Sequence, residues 1–278
     1  MALRNKAVMC CLLVFAGISD AGMRDPFPLG YSMATQEGLM DAQGPGGRQP
    51  WMPAAYLQDT VKYGAAVLGT AYYGDFEKNA SIFQYGAGAW FTTDFMTCKL
   101  ALVQLSALEV YYEQTAYLSL GTSLSFLGLS VDLKPCRTGL VNSSEVKALL
   151  LAGISGLVQT RLLNMRFSVD DLVIESSDVE GTDPEYVLEI GLSSRKNRYG
   201  IQGVLIQVRP GMSEPVRFTL AQEYRIGNSF SIAAALGSNP TMISFGIGVN
   251  LKSVGGSAAM VNHPVLGWSK GFFVDFFR

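Results

Sequence analysis

Among the residues able to carry chemistry, His263 stands alone as the one histidine in 278 residues. Acid–base or nucleophilic catalysis through an imidazole must therefore pass through it. Asn262 precedes it, but Pro264 and Val265 occupy the places where a nearby serine would help, and Pro264 suggests a turn. The expectation is a structural His263, forming a rim or loop element with Pro264, Gly267 and Trp268. Cys98 and Cys136 follow an early pair, Cys10 and Cys11. An oxidising compartment permits a disulfide between the later two, and two unpaired buried thiols fit the sequence equally well. No cluster of Cys, His and acidic residues has metal-ligand spacing, so neither a metal nor a cofactor is expected. Seven charged residues are spaced so as to share one face of otherwise apolar segments: Arg166, Asp170, Glu185, Glu189, Arg217, Glu223 and Arg225. They could line a polar passage. The preferred reading is a set of paired charges filling a narrow interior.

What positions such residues follows from composition and periodicity. The formal charge is −2, which gives no electrostatic case for a nucleic-acid partner. Charged residues make up 16% of the chain, against about 25% in an ordinary soluble domain. Arg4 and Lys6 precede an apolar stretch at 7–18 (AVMCCLLVFAGI), followed by the small residues Ser19 and Ala21. That is the layout of a secretory signal peptide, expected over 1–21, and the stretch is too short to be a bilayer-spanning anchor. Beyond it no run reaches the roughly 18 apolar residues of a membrane helix. The closest, 148–158 (ALLLAGISGLV), is flanked by Glu145, Lys147 and Arg161.

Period-two alternation recurs instead. In 241–251, Ile243, Phe245, Ile247, Val249 and Leu251 alternate with Met242, Ser244, Gly246, Gly248 and Asn250. In 216–226, Phe218, Leu220, Tyr224 and Ile226 oppose Arg217, Thr219, Ala221, Glu223 and Arg225. Similar patterns occupy 162–170, 185–192 and 228–236. In 118–133 the apolar register flips after Phe126, as a bulge or tight turn would make it. Strand side chains point alternately to opposite faces, so each segment has one apolar side and one small or polar side. A secreted β-sandwich would show this too. Segments of about 9–12 residues are long enough to cross a bilayer when tilted. Aromatics near segment ends (Tyr63, Tyr72, Tyr73, Phe83, Phe91, Tyr111, Tyr112, Tyr224) suit an interfacial girdle. The pattern favours an all-β, antiparallel transmembrane barrel in the bacterial outer membrane.

About twelve strands are expected, with ten or fourteen competing: 61–73, 81–93, 99–112, 116–133, 146–158, 161–169, 185–195, 198–209, 215–226, 229–237, 241–251 and 268–277. Residues 100–112 (LALVQLSALEVYY) would also suit a helix, and 199–208 is apolar on both faces. The barrel is placed at 59–278. Residues 22–58, rich in Pro and Gly and without alternation, form a non-barrel segment: a plug in the lumen or a periplasmic tail.

The last strand carries the most specific signal. Ser269-Lys270-Gly271-Phe272-Phe273-Val274-Asp275-Phe276 resembles the terminal strand by which the barrel-assembly machinery accepts its substrates. Gly271, Phe272, Val274 and Phe276 form this lipid-side assembly signal, with outer-membrane lipid as the other partner. Glu223-Tyr224-Arg225-Ile226-Gly227-Asn228, then Phe230-Ser231-Ile232, resembles an E-Y-x-x-G-N hairpin. Ser244 to Val249 resembles the strand after it, and His263-Pro264-Val265-Leu266-Gly267-Trp268-Ser269 resembles an H-P-x-L-G-x-S/T element. Together these resemble the FadL-related outer-membrane barrels of the PorV/PorQ kind, associated with type IX secretion, in a shorter and diverged form. The resemblance implies a non-enzymatic docking or accessory role in protein secretion, with periplasmic or secreted protein partners. The alternative it implies is a FadL-like transporter of hydrophobic small molecules. An outer-membrane lipolytic enzyme built on His263 is the third reading.

Overall fold

The computed structural model describes residues 52–56, 62–72, 82–107, 110–124, 126–141, 146–176, 186–194, 200–210, 215–227, 229–238, 241–263 and 267–278. The expected signal peptide and most of the 22–58 segment lie outside them. The described residues form a short 3-10 turn, Ala54–Tyr56, and fourteen strands. These are β1 (Tyr63–Tyr72), β2 (Ile82–Thr92), β3 (Thr97–Ala107), β4 (Tyr111–Leu124), β5 (Leu127–Leu140), β6 (Val146–Gln159) and β7 (Leu163–Ser176). They continue as β8 (Val187–Ser194), β9 (Ile201–Val208), β10 (Val216–Ile226), β11 (Phe230–Gly237), β12 (Met242–Asn250), β13 (Val254–His263) and β14 (Gly267–Phe277).

Every strand pairs antiparallel with its neighbours in sequence, and β1 pairs with β14 to close the barrel. Arg278 N–H donates to the Tyr63 carbonyl at 3.0 Å, and Lys62 N–H donates to the Arg278 carbonyl at 3.0 Å, so the seam is bonded to its end. Closure leaves no unpaired strand edge, the condition for backbone to cross hydrocarbon. The hairpins joining β2–β3, β4–β5, β6–β7, β10–β11 and β12–β13 lie at the end where β1 starts and β14 finishes, here called the terminal end. At the opposite, loop end β1, β3, β5, β7, β9, β11 and β13 finish.

The alternation separates two environments. On β12, Ile243, Phe245, Ile247 and Val249 are 42–51% exposed on the outside, while Met242 and Ser244 are at most 1% exposed within. The same division holds on β10, where Phe218, Leu220 and Tyr224 face outward and Thr219 and Ala221 are buried. Outward glycines are roofed by aromatics from the facing strand. Gly156 sits opposite Phe167, whose ring lies 2.2 Å from where a Cβ would be, and Gly69 is covered likewise by Phe272. An outward glycine would otherwise leave a gap in the apolar wall.

Fourteen strands replace the expected twelve for two reasons. The 116–133 segment is β4 and β5, and the register flip is a tight turn between Leu124 and Leu127. β13 was invisible because Gly256 and Ala258 on its outer face and Gly255 and Ser257 within are too alike to alternate in hydrophobicity. The helical option over 100–112 is not taken: on β3, Leu100 and Leu102 are exposed and Ala101 and Val103 buried, a period of two. β9 is apolar on both faces because its inward Ile201 joins an inner apolar cluster with Ala221, Ala233, Ala235, Met242 and Val261.

Two of the aromatics assigned to the interfacial girdle belong inside. Tyr72 donates its hydroxyl hydrogen to Gln84 and Tyr111 donates to Glu113, and both pack against the buried Ile82, Leu105 and Ala107. They share the inner register of their strands. Tyr63, Phe91 and Tyr224 are outward and exposed. Tyr73 lies outside the described residues.

Candidate functional site

The inner surface is divided by chemistry. From β4 to β8 it is polar and charged. Between β6 and β7 the register shifts twice, and Asp171 adopts a φ of 59°, a left-handed conformation that aspartate tolerates better than most residues. This irregularity lets two consecutive aspartates reach inward, where strict alternation would send one to lipid. Lys134, on β5, donates to Asp170 Oδ2 and, at 3.0 Å, to Asp171 Oδ1. Its ammonium also lies 5.8 Å from the centre of the Tyr117 ring. Room for the Asp170 carboxylate comes from Gly153, where a Cβ would sit 2.4 Å from Asp170 Oδ1. Beside this group Ser155 Oγ donates to Asp132 Oδ2 at 3.2 Å.

A second group joins β7, β8 and β9. Arg166 Nη2 is 2.8 Å from Glu189 Oε1, and Gln207 Nε2 donates to Glu189 Oε2 at 2.9 Å. On β10, Arg225 Nε donates to Glu223 Oε1 at 2.6 Å. Opposite charges thus meet within one strand (Arg225–Glu223), across neighbouring strands (Arg166–Glu189) or across β6 (Lys134 with Asp170 and Asp171), which offsets their removal from water.

The other side is richer in apolar residues, although Thr70, Gln84, Lys99 and Asp275 are buried there too. The inner face of β3 presents Ala101, Val103, Leu105 and Ala107, all buried, from the middle of the barrel to the loop end. Ala66, Leu68, Trp90, Tyr117, Ala259 and Phe273 complete a cluster with Ala101 and Val103. Against this cluster packs Met52, and the following turn is seated in the lumen. Ala54 and Ala55 are each 1% exposed. Ala54 N–H donates to Ser119 Oγ at 2.7 Å, and Ala55 packs with Leu157 on β6. Gly121 provides the seat, since a Cβ there would come within 2.9 Å of the Ala54 methyl carbon and 3.0 Å of the Ala55 nitrogen. A five-residue stretch of the N-terminal segment therefore occupies the lumen near the terminal end.

Of the seven charges picked from the sequence, six take inward positions: Arg166, Asp170, Glu189, Arg217, Glu223 and Arg225. Glu185 lies outside the described residues. The structure joins Arg166 to Glu189 and Arg225 to Glu223, and it joins Asp170 to a lysine not singled out from the sequence. Lys99, Glu113, Asp132, Lys134 and Asp171 were missed, although all are at most 7% exposed. For Asp132 and Lys134 the signal was present, because they alternate with the apolar Val131 and Leu133. Asp171 was hidden by the irregularity.

In the terminal strand Phe272 and Phe276 are exposed on the outer face and Val274 is partly so. Gly271 is placed on the inner face instead, in register with Ser269, Phe273 and Asp275. His263 is the last residue of β13 and pairs with Gly267, which opens β14 with a φ of 89°. Trp268 is outward and 40% exposed, and Pro264 lies outside the described residues. Cys98 and Cys136 are unbridged: Cys98 has the outer register of β3, Cys136 is buried on the inner face of β5, and β4 runs between them. Among the described residues no group of His, Cys, Asp and Glu could hold a metal ion.

No family model matches the chain, and no curated protein matches it. Solved structures do. A deltaS2S3 mutant of the monoaromatic hydrocarbon channel TodX is similar with a TM-score of 0.65 at 9% identity, over 90% of this chain and 98% of that one. An engineered variant of the Rh. blastica porin aligns over 78% of this chain and 99% of its own, at 11% identity and a TM-score of 0.45. At such identities the TodX likeness is one of fold: this chain has an outer-membrane-type β-barrel.

Proposed function

We propose that this chain is a non-enzymatic barrel of the bacterial outer membrane that passes hydrophobic small molecules, in the manner of a FadL-like transporter. The observation that carries the reading is the apolar inner track. It runs down β3 from Ala107 through Leu105, between Gln84 and Glu113, and Val103 to Ala101, beside the buried Lys99, and it meets Leu68, Phe273 and Trp90 before reaching Met52. A passage for ions or sugars would gain nothing from such a surface, whereas an apolar solute is stabilised along it at roughly 25 cal/mol for each Å² removed from water. The similarity in fold to a hydrocarbon channel adds support. The Met52–Tyr56 stretch closes the track at the terminal end. Assembly proceeds through the barrel-assembly machinery, with Phe272, Val274 and Phe276 as the surface it accepts.

A second reading, a docking component of protein secretion of the PorV/PorQ kind, is favoured by one observation: the lumen near the terminal end is filled, with Ala54 and Ala55 fully enclosed. A barrel that only holds partners has no need of a passage.

Uptake separates the two. Cells carrying the full chain in their outer membrane should accumulate a monoaromatic hydrocarbon such as toluene faster than cells without it. Ser119→Ala removes the acceptor for Ala54 N–H and should raise that rate several-fold by loosening the seat. A barrel that assembles normally, gives no uptake in either form and co-purifies with a secreted protein would remove the transport reading in favour of docking.

A further inference from the structure

Three neighbouring hairpins at the terminal end hold apolar side chains out of the fold. Phe95 between β2 and β3 is 82% exposed, Leu162 between β6 and β7 is 79% exposed, and Phe126 between β4 and β5 is 60% exposed. None of the three contributes much burial to the barrel, yet their backbones are held firmly. Thr93 Oγ1 accepts from Phe95 N–H and Met96 N–H at 3.3 and 3.0 Å, and donates to the Met96 carbonyl at 3.1 Å. Thr160 Oγ1 repeats the arrangement, accepting from Leu162 N–H and Leu163 N–H at 3.4 and 3.0 Å and donating to the Leu163 carbonyl at 2.8 Å. The two turns share one design, Thr, a charged residue, then two apolar residues: Thr93-Asp94-Phe95-Met96 and Thr160-Arg161-Leu162-Leu163.

The hairpins are also tied to one another. Thr122 Oγ1, on β4, donates to the Phe95 carbonyl at 2.8 Å, and Gln159 N–H, on β6, donates to the Phe126 carbonyl at 2.7 Å. The result is one ledge spanning β2 to β7. Across the barrel the corresponding turns are more polar: Gly227 and Ser229 follow β10, and Lys252 and Ser253 follow β12, all of them exposed, with Leu251, 55% exposed, the one apolar turn residue described there.

We infer that this ledge is an interfacial anchor, seated in the phospholipid leaflet next to the terminal end. Continuity identifies the occupant. Below Leu162 the outer face of β7 goes on through Leu163, Met165 and Phe167, each 41–47% exposed, and beside Met96 the outer face of β3 goes on through Leu100 and Leu102. The apolar turns thus extend the lipid-facing wall without a polar break. Asp94 and Arg161, both exposed, lie at the level where zwitterionic headgroups offer partners of either sign. Aromatic and apolar side chains at that depth are stabilised by the headgroup–acyl boundary. The turns of β10–β13 offer one exposed apolar residue, Leu251, against Phe95, Met96, Phe126 and Leu162 on the ledge, so the barrel is held unevenly around its rim, with β2–β7 as the deeper side.

The inference rests on the outer-membrane placement proposed above, and the test keeps the two apart. The full chain is made with a photoreactive p-benzoylphenylalanine in place of Phe95, Phe126, Phe245 or Lys252, then irradiated in native outer membranes and weighed intact. Phe245, on the outer face of β12, reports the bilayer itself. The inference predicts phospholipid adducts at Phe95, Phe126 and Phe245 and none at Lys252. Protein adducts at Phe95 and Phe126, or no adduct there, with Phe245 still meeting lipid, would overturn the anchor and leave the barrel standing. Loss of lipid adducts at Phe245 as well would overturn the membrane placement.

Discussion

Ile247→Arg is expected to destabilise the barrel in phospholipid bilayers by about 2–4 kcal/mol, the cost of a cationic side chain near the middle of an outer barrel face. Ile247 is 51% exposed, so in water the same substitution would cost almost nothing and would improve solubility. The sign and size of the effect therefore report the medium outside the wall. Ser244, on the inner face of the same strand and 0% exposed, is the internal control. Its hydroxyl oxygen has no hydrogen-bond partner, so Ser244→Ala should stay within about 1 kcal/mol of the parent. Equilibrium urea unfolding of the protein folded into vesicles measures both. A harmless Ile247→Arg would mean that no hydrocarbon lies against β12.

Lys134→Met is expected to cost about 3–5 kcal/mol, because it leaves the buried Asp171 carboxylate and the partly buried Asp170 carboxylate without their shared cation. The loss belongs to the uncompensated charge and not to the lysine's packing, since methionine fills a similar volume. Lys134→Met combined with Asp170→Asn and Asp171→Asn should recover most of it. Asparagine also tolerates the left-handed backbone that residue 171 requires. The comparison is read from unfolding midpoints of the single and triple variants. If the triple variant is no more stable than Lys134→Met, the three residues do not act as one charge-paired group. They would then be better described as independent polar lining.

The two predictions mark how far the sequence was legible. Ile247 was readable because β12 alternates large apolar residues with Ser and Gly, the contrast that hydrocarbon on one side and a crowded interior on the other produce. Arg166, Glu189, Glu223 and Arg225 were readable for the same reason, although their pairing needed the register between strands. Legibility failed where the two faces became alike. β13 has Gly and Ala on both sides, and Leu100 to Tyr112 has apolar residues on both, so neither shows a clear period of two. It failed again where a local irregularity broke the parity, as at Asp171. Tyr72 and Tyr111 show a third limit: an aromatic near a strand end suits the membrane interface or the inner rim, and only its register decides which. The turn at Ala54–Tyr56 has no periodic signal at all. Its place in the lumen depends on the small Gly121 beneath it and on the Ser119 hydroxyl.

Fourteen strands are bonded into a ring, with β1 joined to β14. Such a ring withstands detergent until it is heated, because no strand can leave without breaking two ladders at once. The direct measurement is electrophoresis of the membrane-extracted chain in dodecyl sulfate, with and without boiling. A closed ring gives a compact, fast-migrating band before boiling and a slower one at the mass of the unfolded chain after it. A chain that leaves the membrane without detergent and runs at one position under both conditions would contradict the closed ring.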